Sequence, residues 1–162
     1  MRYFSTRDKK LNFSFTEIFS RGLAPDGGLF IPSELKKYSS SELKSLQNLS
    51  YTDLATEIIS SFCSPDLDKQ KLKILISNAY NNFFTKEVVK IKKIGDIHLL
   101  ELYHGPTLAF KDIAMQVIGN LYDELNIADK KKVNIVVATS GDTGSAAISA
   151  LNKKKNINVF VL

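Results

Sequence analysis

The chain has 162 residues, 44% hydrophobic and 24% charged, a balance that excludes a disordered chain and marks a folded globular one. Its net charge of +5 rests on lysine, with arginine only at Arg2, Arg7 and Arg21. The lysine clusters at 130–132 and 153–155 stand beside expected strand starts, so they read as a solvated surface and no nucleic-acid partner is expected.

The N-terminus, MRYFSTRDKK, lacks the apolar core of a signal peptide. Aromatics alternate with polar groups over residues 1 to 13. Phe15, Ile18, Phe19 and Leu23 then fall at helical spacing, closed near Gly22. APDGGLFIP, from Ala24 to Pro32, reads as a loop because two glycines and two prolines punctuate it. Ser39 to Ser41 offer caps to a helix carrying Leu43 and Leu46. Ser50, three before Asp53, opens another, with Leu54, Ile58 and Ile59 as the expected buried stripe. The single cysteine, Cys63, forms no internal disulfide and fits a reducing compartment; a cytoplasmic location is expected. Leu72, Leu75, Ile76, Ala79, Tyr80 and Phe83 give one more helix.

The period then changes. EVVKIKKI and IHLLELYH read as two strands joined at Gly95-Asp96 in a hairpin. A helix is expected from Lys111 to Leu125, a strand from Val133 to Thr139, a helix from Asp142 to Leu151 and a strand from Asn156 to Leu162. Two αβ units in a row imply a parallel sheet covered on both faces. No apolar run is long enough to span a bilayer, so no membrane partner is expected. The last strand, NVFVL, calls for a following helix and neighbouring strands. The chain is therefore expected to be the front part of a larger α/β protein.

Two stretches carry chemistry. In ELYHGPTLAFKDIAMQ, from Glu101 to Gln116, Lys111 follows apolar residues and stands at a helix start. Most lysines are simply solvated. Here the helix dipole opposes its positive charge, and partial desolvation would lower its pKa. Such an amine can form a Schiff base with an aldehyde. His104 reads either as a titratable group of this site or as a strand-end histidine satisfied by backbone. His98 reads as an ordinary strand residue, and no metal-ligand spacing is present. In VVATSGDTGSAAISAL, Thr139, Ser140, Gly141, Asp142, Thr143 and Gly144 turn a strand into a helix. Free N–H groups, hydroxyls and glycines there suit a carboxylate or phosphate. A plain strand-to-helix connection capped by Asp142 is the other reading, and the Asp142 charge would repel an anion unless it points away.

HGPTLAFKD (His104 to Asp112) followed by TSGDTGSAA (Thr139 to Ala147), with GLAPDGGLFIP (Gly22 to Pro32) before them, resembles the threonine synthases. These are pyridoxal-phosphate enzymes of the tryptophan-synthase β-like fold, fold type II. The resemblance covers essentially the whole chain. It implies a helical N-terminal domain over 1–84 and the first part of the pyridoxal-phosphate-binding α/β domain over 85–162. It implies that Lys111 holds pyridoxal 5'-phosphate covalently and carries protons, with Phe110 packed beside the cofactor. Thr139, Ser140, Gly141, Asp142, Thr143 and Gly144 would receive the substrate α-carboxylate, with Asp142 also near the cofactor 3-hydroxyl. The implied reaction converts the small-molecule substrate O-phospho-L-homoserine and water to L-threonine and phosphate. The cofactor's phosphate loop and the partner of its pyridine nitrogen are expected beyond Leu162, so the isolated chain is expected to be poorly active. A dehydratase-like or tryptophan-synthase-like relative and a non-catalytic remnant are the competing readings. Oligomeric state is open.

Overall fold

A computed structural model of the chain describes residues 1–129, 132–139, 141–152 and 154–162. Ser140, and Lys130, Lys131 and Lys153 of the basic clusters, lie outside the described residues. The chain divides into two compact units, Met1–Ile74 and Leu75–Leu162.

The first unit is built from β1 (Tyr3–Ser5), α1 (Phe15–Phe19), β2 (Phe30–Pro32), α2 (Ser40–Leu46), α3 (Tyr51–Cys63) and the start of α4 (Lys69–Tyr80). The helix starts follow local chemistry. Ser14 with Glu17, and Ser39 with Glu42, form full capping boxes, satisfying backbone donors that a helix start leaves free. Ser50 Oγ accepts the Asp53 N–H and donates to its carboxylate at 2.7 Å. The PDGG segment is a loop as expected, but its end is not. Phe30–Pro32 is a strand, paired antiparallel with β1 in the register Tyr3 to Pro32. Phe13 packs edge-on against Phe30 at 5.1 Å, and that tertiary contact overrides the local punctuation.

The buried face of α3 also differs from the expected stripe. Thr56 and Cys63 are buried, whereas Ile58 is exposed. Thr56 can be buried because its hydroxyl donates to the Thr52 carbonyl at 2.7 Å. Burial pushes the Cys63 thiol up to about 12. Since the thiolate is the reactive form, Cys63 is expected to resist a thiol reagent at pH 8 in the folded chain and to react fully in denaturant. Rapid labelling of the folded chain, followed by absorbance, would contradict this.

The second unit holds the end of α4, the hairpin of β3 (Lys90–Ile94) and β4 (Ile97–Glu101), then α5 (Asp112–Asp129), β5 (Val133–Val137), α6 (Asp142–Leu151) and β6 (Ile157–Val161). Gly95 turns the hairpin at φ +59°, a conformation glycine adopts without strain. β5 and β6 pair in parallel, Val133 opposite Ile157. Their inner residues Val137 and Ile157 close a core with Ala147 and Leu151 of α6, against which Met115 and Tyr122 of α5 pack. A Cβ added at Gly119 would lie 2.6 Å from the Ala150 carbonyl oxygen, so α5 meets α6 there at backbone distance. The sheet is covered only in part. Val136, Phe160 and Val161 are more than half exposed, as are Ile91, Ile94 and Ile97 of the hairpin.

Candidate active site

The loop that leads into α5 begins at the end of the hairpin. β4 ends on Glu101, whose side chain is only 4% exposed. Lys92 Nζ reaches its carboxylate at 2.5 Å, and His104 Nε2 lies 3.2 Å from the other oxygen. The hydrogen bond from Lys92 holds the Glu101 carboxyl below its usual range, with Tyr103 and His104 adding to it against the opposing effect of burial. Lys92 is held above its ordinary value by the same bond. His104 is therefore satisfied by a carboxylate, not by the backbone as one sequence reading had it. Its own carbonyl accepts the Phe84 N–H at 2.8 Å.

The pH dependence follows from the two directions. A depressed carboxyl contributes stability that is complete above its unfolded value and is lost as pH falls through the folded one. A raised lysine contributes stability that is complete below its unfolded value and is lost as pH rises through the folded one. Removing the carboxylate in Glu101→Gln should therefore lower the melting temperature by a constant amount between about pH 5 and pH 9, a difference that shrinks below about pH 4. An unchanged difference at pH 3 would show that the Glu101 charge plays no part.

Beyond His104 the chain turns sharply. Gly105 lies against Asp112 so closely that a Cβ there would overlap the Asp112 side chain. Leu108 takes φ +61°, a left-handed conformation unusual for a bulky residue. Asp112 is fully buried, and its carboxylate accepts the Thr107 N–H at 2.8 Å and the Thr107 hydroxyl at 2.9 Å. Lys111 immediately precedes α5 and accepts, through its carbonyl, the Met115 N–H at 2.9 Å. The lysine thus stands at the helix start, as its sequence position suggests. The apolar neighbours do not enclose it: Ala109 is buried, but Leu108 and Phe110 are 62% and 55% exposed. The Lys111 amine lies over the Phe110 ring, 4.9 Å from its centre, a cation–π contact.

The second stretch opens α6. Gly141 is its N-cap and, having no side chain, makes no side-chain cap hydrogen bond. The Gly141 N–H donates to Thr139 Oγ1 at 3.3 Å, which folds the turn on itself. Gly144 is buried beneath it, and a Cβ there would overlap the Thr139 carbonyl. Thr139 and Asp142 are exposed and Thr143 is half-buried. Ser140 lies outside the described residues. Both stretches belong to the same unit, on two helices that pack together, with Gln116 Nε2 donating to Ser149 Oγ at 3.3 Å. No group of three or more His, Cys, Asp or Glu that could hold a metal is found among the described residues. No helix among them is long and apolar enough to cross a membrane.

Sequence reading named Lys111, Phe110 and the turn, but passed over Glu101, Thr107 and the burial of Asp112. The polar residue five positions after Thr107 was the available signal, and it carries little weight without the fold.

An α/β unit that offers an amine at one helix start and uncapped N–H groups at another has the makings of a site for an anionic carbonyl compound. Comparison with known proteins makes this specific. Residues 2–80 match the family described as threonine synthase N terminus. The chain is 39% identical to a threonine synthase of Schizosaccharomyces pombe, over 99% of this chain and 33% of that protein. It is 42% identical to that of Saccharomyces cerevisiae, over 99% and 34%. A threonine synthase-like 2 of Xenopus laevis is 38% identical, over 100% and 35%. The fold superposes on a pyridoxal-phosphate-bound threonine synthase from Brucella melitensis with TM-score 0.94 at 34% identity, covering 99% of this chain and 35% of that one. Sequence and fold alike set the chain beside the N-terminal portion of the threonine synthases, and the resemblance carried by the motifs is borne out. The chain spans about a third of the length of the curated relatives it matches.

Proposed function

We propose that these residues supply the lysine-bearing part of a threonine synthase, a pyridoxal-phosphate-dependent lyase of fold type II that converts O-phospho-L-homoserine and water to L-threonine and phosphate. The observation that supports this most is the superposition of 99% of the chain on a pyridoxal-phosphate-bound relative, with HGPTLAFKD and TSGDTG both intact. On this reading residues 1–84 form the N-terminal helical domain and residues 85–162 the first part of the cofactor-binding domain, in a cytoplasmic enzyme.

The residues present fit the cofactor. Lys111 offers a primary amine to its aldehyde, and Phe110 offers a half-exposed aromatic face beside that amine. When bound, pyridoxal phosphate supplies an electron sink for carbanion chemistry. Lys111 then acts as the group that takes a proton from the substrate carbon skeleton and returns it, while phosphate leaves Cγ and water adds at Cβ. The N–H groups at the start of α6, with the hydroxyls of Thr139, Ser140 and Thr143, receive the substrate carboxylate. Asp142 is exposed, so water screens its charge from that anion, and its carboxylate would be the group offered to the cofactor's 3-hydroxyl.

The test is to incubate the chain with pyridoxal phosphate, reduce with borohydride and map the modified lysines by mass spectrometry. Label concentrated on Lys111 supports the reading; label scattered over the surface lysines, both in this chain and in the protein that carries these residues, defeats it. Relatives named threonine synthase-like 2 favour a second reading, in which the same site serves another substrate of this class. Phosphate release from O-phosphohomoserine, against ketobutyrate release from threonine, separates the alternatives in the protein that carries these residues.

A further inference from the structure

The loop from Gly105 to Lys111 contains no regular element, yet nearly every turn of it is tied. The Leu108 N–H donates to the Gly105 carbonyl at 3.1 Å, and the Asp112 N–H to the Ala109 carbonyl at 3.0 Å. The Ile113 N–H reaches the Phe110 carbonyl at 3.3 Å. The longest-range tie in this segment is the Asp112 carboxylate, which takes both donors of Thr107 from five residues away. That carboxylate has no exposure to water, and Gly105 is packed against its side of the loop. A buried carboxylate is strongly unfavourable unless its oxygens are satisfied, and here two hydrogen bonds and the positive end of α5 do so. What this group fixes is the approach of the chain to Lys111. Leu108 at φ +61° is held in a conformation that is strained for a bulky residue, which requires the surrounding ties to outweigh the strain.

We propose that Asp112 is the positioning residue of the site: its carboxylate clamps Thr107, holds the 105–108 turn closed, and thereby sets where the Lys111 amine stands. The inference rests on the reading of Lys111 as the reactive lysine, but its geometry does not. Asparagine has the same shape as aspartate. In Asp112→Asn the side-chain carbonyl can accept the Thr107 N–H while the amide donates to the hydroxyl oxygen, so the clamp survives without its charge. Alanine removes it. Thr107→Val removes only the hydroxyl donor and keeps the N–H bond.

The experiment is competitive acetylation of the folded chain by acetic anhydride, with the rate at Lys111 divided by the rates at the exposed Lys44 and Lys86. Asp112→Ala is expected to shift that ratio by about threefold or more, Thr107→Val by less in the same direction, and Asp112→Asn hardly at all. Unfolding would bring the half-buried Lys111 toward the rate of the exposed lysines, so the ratio is read only where circular dichroism shows each variant fully folded. If Asp112→Ala does not fold, Thr107→Val decides. An unchanged ratio in the folded variants, or an Asp112→Asn chain as perturbed as Asp112→Ala, overturns the clamp. Repeating the series with pyridoxal phosphate and borohydride separates the two ideas. If the anhydride ratio shifts but pyridoxal phosphate never selects Lys111, the cofactor reading fails and the clamp stands. If pyridoxal phosphate selects Lys111 equally in every variant, the clamp fails and the cofactor reading stands.

Discussion

Lys111→Ala should reduce the total borohydride-fixed pyridoxal phosphate per chain to the level of random surface labelling, a loss of severalfold in the whole-chain stoichiometry, on the order of tenfold where Lys111 dominates. The control is internal, because the chain holds 22 lysines and arginines and most of its lysines are exposed. They compete equally for the aldehyde unless one is set apart by its surroundings. Lys111 is set apart on three counts. It immediately precedes α5, at the end of the turn that leads into the helix. Its amine lies over the Phe110 ring, a surface that can also take the flat face of the reagent. The loop that delivers it is closed by Asp112 on Thr107. Lys111→Arg keeps the charge and the ring contact but cannot condense with an aldehyde, so it should behave as alanine does. If arginine or alanine leaves the amount and distribution of label unchanged, Lys111 is an ordinary surface lysine.

The second large effect is expected at Gly144. Helix propensity alone favours alanine over glycine by about 1 kcal/mol inside a helix, so Gly144→Ala would be a stabilising change on that count. Packing reverses the sign. The added methyl would overlap the Thr139 carbonyl, a backbone atom that cannot rotate away, and would approach Thr139 Cγ2 at 3.2 Å. The turn between β5 and α6 must open to admit it, at a cost of about 1–3 kcal/mol from overpacking, which exceeds the propensity gain. The turn that opens is the one proposed to receive the substrate carboxylate, so stability and ligand binding should fall together. Gly22→Ala is the contrasting change, since no atom lies within 4 Å of its added Cβ. Urea midpoints of the two variants should separate clearly, with Gly22→Ala close to the parent. Equal midpoints would mean that the turn yields without cost.

What the sequence determined by itself was the chemistry that acts over three or four residues. Ser14, Ser39 and Ser50 cap helices because a hydroxyl next to a free N–H needs no distant partner. Gly95 turns the hairpin for a similarly local reason, and α6 begins at Asp142 directly after its glycine N-cap. The motifs around Lys111 and Gly144 were legible as residue types in order, and that order was enough to reach the resemblance to threonine synthases. Tertiary structure decided what lies under cover. Phe30–Pro32 became a strand because β1 was there to pair with it, and Thr56 and Cys63 displaced Ile58 from the core of the first unit. Glu101 and Asp112 look like any other carboxylates in the chain. Only the fold brings Lys92 and His104 to the first and folds Thr107 back onto the second, because burying a charge depends on partners that sequence spacing does not specify.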